Sequence, residues 1–333
     1  MTALGTTAAI FGCLGPMLSP DESAFFHDAD PFGFIIFARN VETPDQLYRL
    51  TSDLRAAVGR DALVLVDQEG GRVQRLRAPH WRDWIPPLDA IRQAKNLATA
   101  CRLMALRAAL IAAELRAVGI DANCAPVADI ATDATHPFLR NRCYGTDAAF
   151  VTSIARAVAD AYLAGGVLPV MKHLPGHGRA TGDTHLNLPT VTTDTATLTA
   201  TDFAPFRALA DLPMAMTAHI VFSAYDAQNP ATQSPRMIDV IRTDIGFQGL
   251  LMTDDLNMQA LSGTLSERTK RSMNAGCDIA LHCNGDMDEM RAVAAAAGRM
   301  RADTLVRAAR AIAMRTLPPQ IDIAAIEAEL AHA

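Results

Sequence analysis

The sequence predicts an α/β fold, a (β/α)8 TIM-type barrel, as a single domain over residues 1–333 with 316–333 as a C-terminal helical extension. Three observations predict it. Eight short apolar runs alternate with longer helix-like stretches. Most of the runs are continuously apolar rather than alternating, as strands of a parallel sheet buried on both faces are. Charged residues close several of the runs, and a barrel gathers the C-terminal ends of its strands at one mouth. The competing arrangement is an open doubly wound sheet, which has fewer strands and a glycine-rich phosphate turn; no G-x-G-x-x-G follows the first run here.

In chain order the strand candidates are 8–14, 32–38, 62–67, 120–130, 166–173, 213–220, 249–254 and 277–283. The helix candidates between and after them are 43–58, 95–118, 146–164, 195–210, 235–246, 264–275 and 286–315, with a terminal helix over 321–333. Thr43-Pro44-Asp45, Asp194 and Ser234-Pro235 are helix-start signals, because a short polar side chain can accept from the orphan N–H groups of a first turn. Gly59, Gly119 and Gly165 stand where helices should stop. The third run ends in Asp67, the fifth in Lys172-His173, the sixth near His219 and the seventh in Asp254-Asp255. The connections 68–90, 131–145, 174–193 and 221–233 are long, and long irregular loops usually carry function. The arginine-rich stretch 299–315 is read as a solvated helix face.

Composition narrows the function classes. The chain has 333 residues, 30 Lys+Arg against 36 Asp+Glu and a formal net charge of −6, with half its residues apolar. This excludes a disordered chain, and the absence of a basic balance argues against a nucleic-acid partner. The six cysteines are scattered without a C-x-x-C pair, which reads as buried thiols in a reducing compartment. No Lys or Arg precedes Arg39, and glycines and prolines interrupt the first twenty residues, so neither a signal peptide nor a membrane span is expected. A cytoplasmic, monomeric protein is the expectation.

Four segments carry chemistry. In Asp67-Gln68-Glu69-Gly70-Gly71-Arg72-Val73-Gln74-Arg75 the glycine pair permits a sharp turn that folds the arginines back towards the strand end. Asp67 can accept hydroxyl hydrogen bonds and Arg75 can donate from a planar fork; the plain alternative is a surface turn closed by an ion pair. In the segment from Lys172 to His185, three histidines and Asp183 follow a strand within one glycine-rich loop. Asp183 and His185 are one residue apart, so an extended backbone puts both on one side. A carboxylate on one ring nitrogen favours the imidazolium and leaves the other nitrogen to move a proton near neutral pH. A metal site using His173, His177 and His185 is the rival reading. At Thr253-Asp254-Asp255 strand alternation allows one acid to face the mouth; Asp254 is the choice, with Asp255 capping the following turn. Two acids facing in together would repel and push one pKa upward. Arg142, in Arg140-Asn141-Arg142-Cys143-Tyr144-Gly145, adds a cation beside the same mouth. With Arg75, Lys172 and His173 it makes a donor set suited to a polyhydroxylated ligand.

These motifs, in this order, resemble glycoside hydrolase family 3 β-N-acetylhexosaminidases, and more narrowly the single-domain bacterial type of peptidoglycan recycling. The resemblance implies Asp254 as the catalytic nucleophile, His185 as the acid/base and Asp183 as its paired aspartate. It implies that Asp67, Arg75, Arg142, Lys172 and His173 bind an N-acetylglucosamine ring, and it needs no cofactor or metal. The implied reaction is removal of terminal N-acetylglucosamine from muropeptides of the GlcNAc-1,6-anhydroMurNAc type through a covalent glycosyl-Asp254 intermediate. Cys143 stands where the family commonly has Ser, Leu174 where Phe is usual and Thr184 where Ser is usual. His185 sits on a glycine-rich loop, which is expected to close over bound sugar. A β-N-acetylglucosaminide phosphorylase, a metal-dependent amidohydrolase on the same barrel and a sugar sensor without turnover are the alternatives.

Overall fold

In the computed structural model, which describes residues 4–181, 188–318 and 320–332, eight strands run parallel to one another around one axis. They are β1 (Thr7–Gly12), β2 (Pro31–Ile36), β3 (Leu63–Val66), β4 (Ala122–Asn123), β5 (Leu168–Leu174), β6 (Met214–Thr217), β7 (Leu250–Met252) and β8 (Ala280–His282). Each pairs with the next in sequence up to β7, and β1 pairs with β8. A parallel bridge from Met252 to Ile279 closes the ring, supported by Thr253 N–H to Ile279 O at 3.0 Å. The doubly wound alternative is thereby excluded.

The continuous apolar runs explain why both strand faces are dry: β2, β3 and β7 are buried at every position. Helix Pro20–Ala29 seats Phe25 and Phe26 against Phe11 and Phe34, with edge-on ring contacts at 5.6 Å for Phe11–Phe25 and 5.0 Å for Phe26–Phe34. Helix starts fall where the sequence marks them. Thr43, Asp194 and Ser234 each accept from the backbone N–H three residues on. Gly59 ends its helix at φ 62°, a conformation in which a Cβ is penalised.

Three expected elements differ. The strand expected over 120–130 contracts to Ala122–Asn123 plus one bridge at Val127, because Pro126 has no N–H and the Asn123 side chain replaces ladder bonds. Asn123 accepts from Gln68 N–H at 2.9 Å and donates to Gln68 O at 3.0 Å. The helix expected over 195–210 splits into Thr195–Ala200 and Ala204–Ala208; Pro205 fits the first turn of the second but could not continue a preceding helix. The helix expected over 286–315 splits into Met287–Ala297 and Ala302–Ala313, and between them Gly298 O and Met300 N–H bond to the start of β1.

The arginine-rich stretch is also not simply a solvated face. Arg307 reaches Asp278, which is fully buried just before β8, with contacts of 2.7 to 3.1 Å. Arg315 reaches buried Asp121 just before β4. The terminal helix Ile323–His332 lies against helix Leu97–Ala117 and pairs Glu329 with Arg102. Among the described residues, no helix is long and apolar enough to cross a membrane.

Candidate active site

At the C-terminal end of β3, Asp67 leads into a small antiparallel hairpin, Gln68–Gly70 with Val73–Gln74. Gly70 and Gly71 turn it with φ of 103° and 61°, and a Cβ at 70 would sit 1.7 Å from the Arg107 guanidinium, so the turn requires glycine. The Gln68 side-chain oxygen then accepts from Arg75 N–H at 2.9 Å and Leu76 N–H at 3.0 Å, folding the chain back on the strand end. Arg75 thereby donates to Asp67 at 2.9 Å.

From this pair a chain of alternating charges crosses the mouth. Lys172, at the end of β5, donates to Asp67 at 2.8 Å and to Glu69 at 2.6 Å. Arg142 grips Glu69 with two bonds of 2.9 and 2.8 Å. The Nη2 that reaches Glu69 also lies 3.4 Å from His173 Nε2, while His173 Nδ1 lies 2.7 Å from Asp129. The same carboxylate accepts the backbone N–H groups of His173 and His177 at 3.2 and 2.7 Å.

Burial alone would raise the carboxyl pKa values here, and the cations outweigh it. Asp67 is held well below the usual carboxylate range by Lys172 and Arg75. Glu69 is lowered to about 2 by Arg142 and Lys172. Lys172 is raised against its own burial by Asp67 and Glu69. Burial and His173 lower His177 to about 4.

Across the mouth stand the two acids after β7. That strand ends at Met252, so its face alternation no longer governs Asp254 and Asp255, and both line the same cavity. This corrects the expectation that only one could face in. Asp255 nevertheless caps the turn, as expected, accepting Asn257 N–H at 3.2 Å. The two carboxyls are driven apart in acidity. Against burial, His173, the Asp255 N–H and Lys172 keep Asp254 below its ordinary value. Burial and the neighbouring Asp254 push Asp255 up to about 6.

A cavity of about 320 Å³ holds these groups together. Asp67, Arg75, Arg142, Lys172, His173 and Asp254, six of the eight residues singled out from the sequence, all line it. Ile35, Met216, Leu281 and Cys283 give it an apolar part. Asp183 and His185, the other two, lie outside the described residues. Cys143 is fully buried with Ala131 and Leu139 and does not line the cavity. Among the described residues no group of three or more His, Cys, Asp or Glu is placed to hold a metal ion.

Two carboxylates that pair with the cavity-lining cations and His173 escaped assignment from the sequence, Glu69 and Asp129. The signal for them was charge balance: three cations, Arg75, Lys172 and Arg142, faced Asp67 alone, and buried cations require counter-ions. Asp129 also closes the fourth apolar run, as Asp67 closes the third.

Comparison with known proteins follows the same lines. The pattern of the Glycosyl hydrolase family 3 N terminal domain matches residues 21–313. A beta-hexosaminidase of Methylococcus capsulatus is 37% identical over 281 residues, covering 83% of this chain and 82% of that protein. NagZ from Neisseria gonorrhoeae, solved in complex with N-trifluoroacetyl-D-glucosamine, superposes with a TM-score of 0.85 at 28% identity over 99% of this chain and 95% of that one. A glycoside hydrolase family 3 beta-N-acetylglucosaminidase from Paenibacillus also gives 0.85, at 27% identity over 95% of this chain and 63% of that one.

Proposed function

The chain belongs to glycosyl hydrolase family 3 and is a glycoside hydrolase, and from that premise we propose that it is a retaining exo-β-N-acetylglucosaminidase. Its substrates are cell-wall muropeptides of the GlcNAc-1,6-anhydroMurNAc type, in the cytoplasm, and it acts as a monomer. The observation that carries the reading is the polarity of the cavity: Asp254 faces it, and so do Asp67, Arg75, Arg142, Lys172 and His173. The cationic groups and Asp67 are suited to hold the hydroxyls of one sugar ring, and a volume of about 320 Å³ suits a single ring rather than a chain of them.

In the first step an Asp254 oxygen bonds to the anomeric carbon as the glycosidic C–O bond breaks, and His185 gives its proton to the departing oxygen. In the second, water attacks the same carbon, its proton passes to His185 and the Asp254 ester is released. The lowered pKa of Asp254 supports the first role, since the nucleophile has to be ionised at neutral pH. Asp183 orients His185 and keeps its proton available. Cysteines without disulfides fit a reducing compartment.

A 2-fluoro sugar or similar slow substrate is expected to leave a mass adduct on the peptide containing Asp254. An adduct elsewhere, or none while a chromogenic N-acetylglucosaminide is turned over, overturns the assignment. Sugar-1-phosphate formed in phosphate buffer would redirect it to phosphorolysis.

A further inference from the structure

His219 closes β6 and is buried to 1% exposure, yet it does not line the cavity. Its two ring nitrogens are both engaged. Nε2 lies 3.0 Å from the backbone carbonyl oxygen of Asp255, and Nδ1 lies 2.8 Å from Thr232 Oγ1. A carbonyl only accepts, so the Nε2 contact fixes a proton on that nitrogen. Burial lowers the pKa of the ring, so it is neutral and Nδ1 is the acceptor, served by the Thr232 hydroxyl. Thr217 Oγ1, 2.8 Å from Thr232 Oγ1, supports that hydroxyl, while Ala218 O at 3.0 Å competes for its proton.

The residue whose carbonyl His219 holds is the one whose N–H holds Asp254. Asp255 N–H donates to Asp254 Oδ1 at 2.8 Å, and Asp254 Oδ2 makes no hydrogen bond to the described residues. Leu256 N–H bonds to Leu281 O at 3.1 Å and Asp255 Oδ1 accepts Cys283 N–H at 3.3 Å, which ties the turn to β8. The Asp255 carbonyl accepts from Met258 N–H within its own turn at 3.2 Å, and His219, just past the end of the neighbouring strand, is the only side chain among the described residues that anchors it from outside the turn.

We infer that His219 is a positioning residue for the nucleophile, holding the Asp255 peptide so that its N–H takes one Asp254 oxygen and leaves the other aimed at the sugar. Thr232, from the loop after β6, fixes the ring tautomer that makes this possible. The inference rests on the reading of Asp254 as nucleophile. It is distinct from the sugar-binding wall, because neither His219 nor Thr232 reaches the cavity.

A matched pair of amide variants tests it. A glutamine amide can occupy the place of Nε2, whereas an asparagine amide reaches only that of Nδ1. His219→Asn is expected to lower kcat by about 10–100-fold, the cost of misplacing a reacting group by about 1 Å, with KM within about twofold of the parent. His219→Gln should recover kcat to within about threefold of the parent, with the same thermal midpoint as His219→Asn. Thr232→Val, which removes the proton given to Nδ1, should lower kcat several-fold at unchanged KM and decides the matter if His219→Asn does not fold. Equal kcat for His219→Asn and His219→Gln, parental kcat for Thr232→Val, or a loss confined to KM overturns the inference. Asp254→Asn assayed alongside separates the two readings: if it still turns over, the nucleophile assignment fails, whatever the His219 variants do.

Discussion

Both ends of the barrel bury carboxylates among arginines, and the two ends use them differently. At the N-terminal end, Asp121 accepts Val64 N–H at 2.8 Å and meets Arg55, Arg116 and Arg315. Asp278 repeats the pattern one half-turn of the ring away, accepting Leu251 N–H at 3.0 Å and meeting Arg242 and Arg307. Each acid satisfies the free end of a neighbouring strand, and neither lines a cavity with its carboxyl. At the C-terminal end, Asp67 and Glu69 are paired as tightly, but their partners also border about 320 Å³ of open volume, and Asp254 and Asp255 each keep an oxygen unused by the described residues. Residue type does not separate a structural ion cluster from a candidate catalytic one. Spare hydrogen-bonding capacity beside open space does.

Substitutions at the two ends should separate them. The largest effect is expected for Asp254→Asn: turnover of a chromogenic N-acetylglucosaminide should fall roughly 10⁴-fold, in the range seen when a nucleophile is removed, with an unchanged or higher thermal midpoint. Asp278→Asn should do the reverse, costing about 3–5 kcal/mol of stability in denaturant titration while kcat of the folded fraction holds, because arginines are left buried without their counter-ion. If the two variants failed in the same way, the distinction between the two ends would collapse. Glu69→Gln lies between them. It should cost about 1–3 kcal/mol and raise KM roughly tenfold, since it loosens Arg142 and Lys172 without touching Asp254.

Stability against pH separates the acids further. Asp255 is raised to about 6 in the folded chain, so ionising it destabilises the fold. That cost is complete above pH 6 and disappears as pH falls towards the unfolded value of about 3.9. Asp255→Asn should therefore raise the thermal midpoint at pH 8, and the gain should vanish near pH 4. Glu69, lowered to about 2, has the opposite sign: its contribution is complete above about pH 4.3 and is lost as pH falls towards 2. The smallest effect is expected at Cys143→Ser, under about 1 kcal/mol with kcat unchanged, as its thiol packs in a small apolar cluster away from the cavity.

The strands were legible in the sequence because burial on both faces of a parallel sheet writes itself as continuous apolar runs, and the mouth was legible because charges interrupt those runs at one end. Helix starts were legible at Thr43, Asp194 and Ser234 because capping is local chemistry. The fourth strand, the two split helices and the role of the arginines in 299–315 were not, since each depends on partners far along the chain: Gln68 for Asn123, β1 for the segment at Gly298, Asp278 for Arg307.

The alternation of strands and helices and the kinds of group at the mouth were already written along the chain, because hydrophobic periodicity, capping and motif spacing are properties of neighbouring residues. Tertiary structure decided which charges neutralise one another, that Glu69 and Asp129 stand behind the wall, and that Asp254 and Asp255 face one cavity with their acidities split. Those outcomes depend on distances between strands that sequence separation does not encode, and on burial, which turns a distance of a few ångströms into a preferred protonation state.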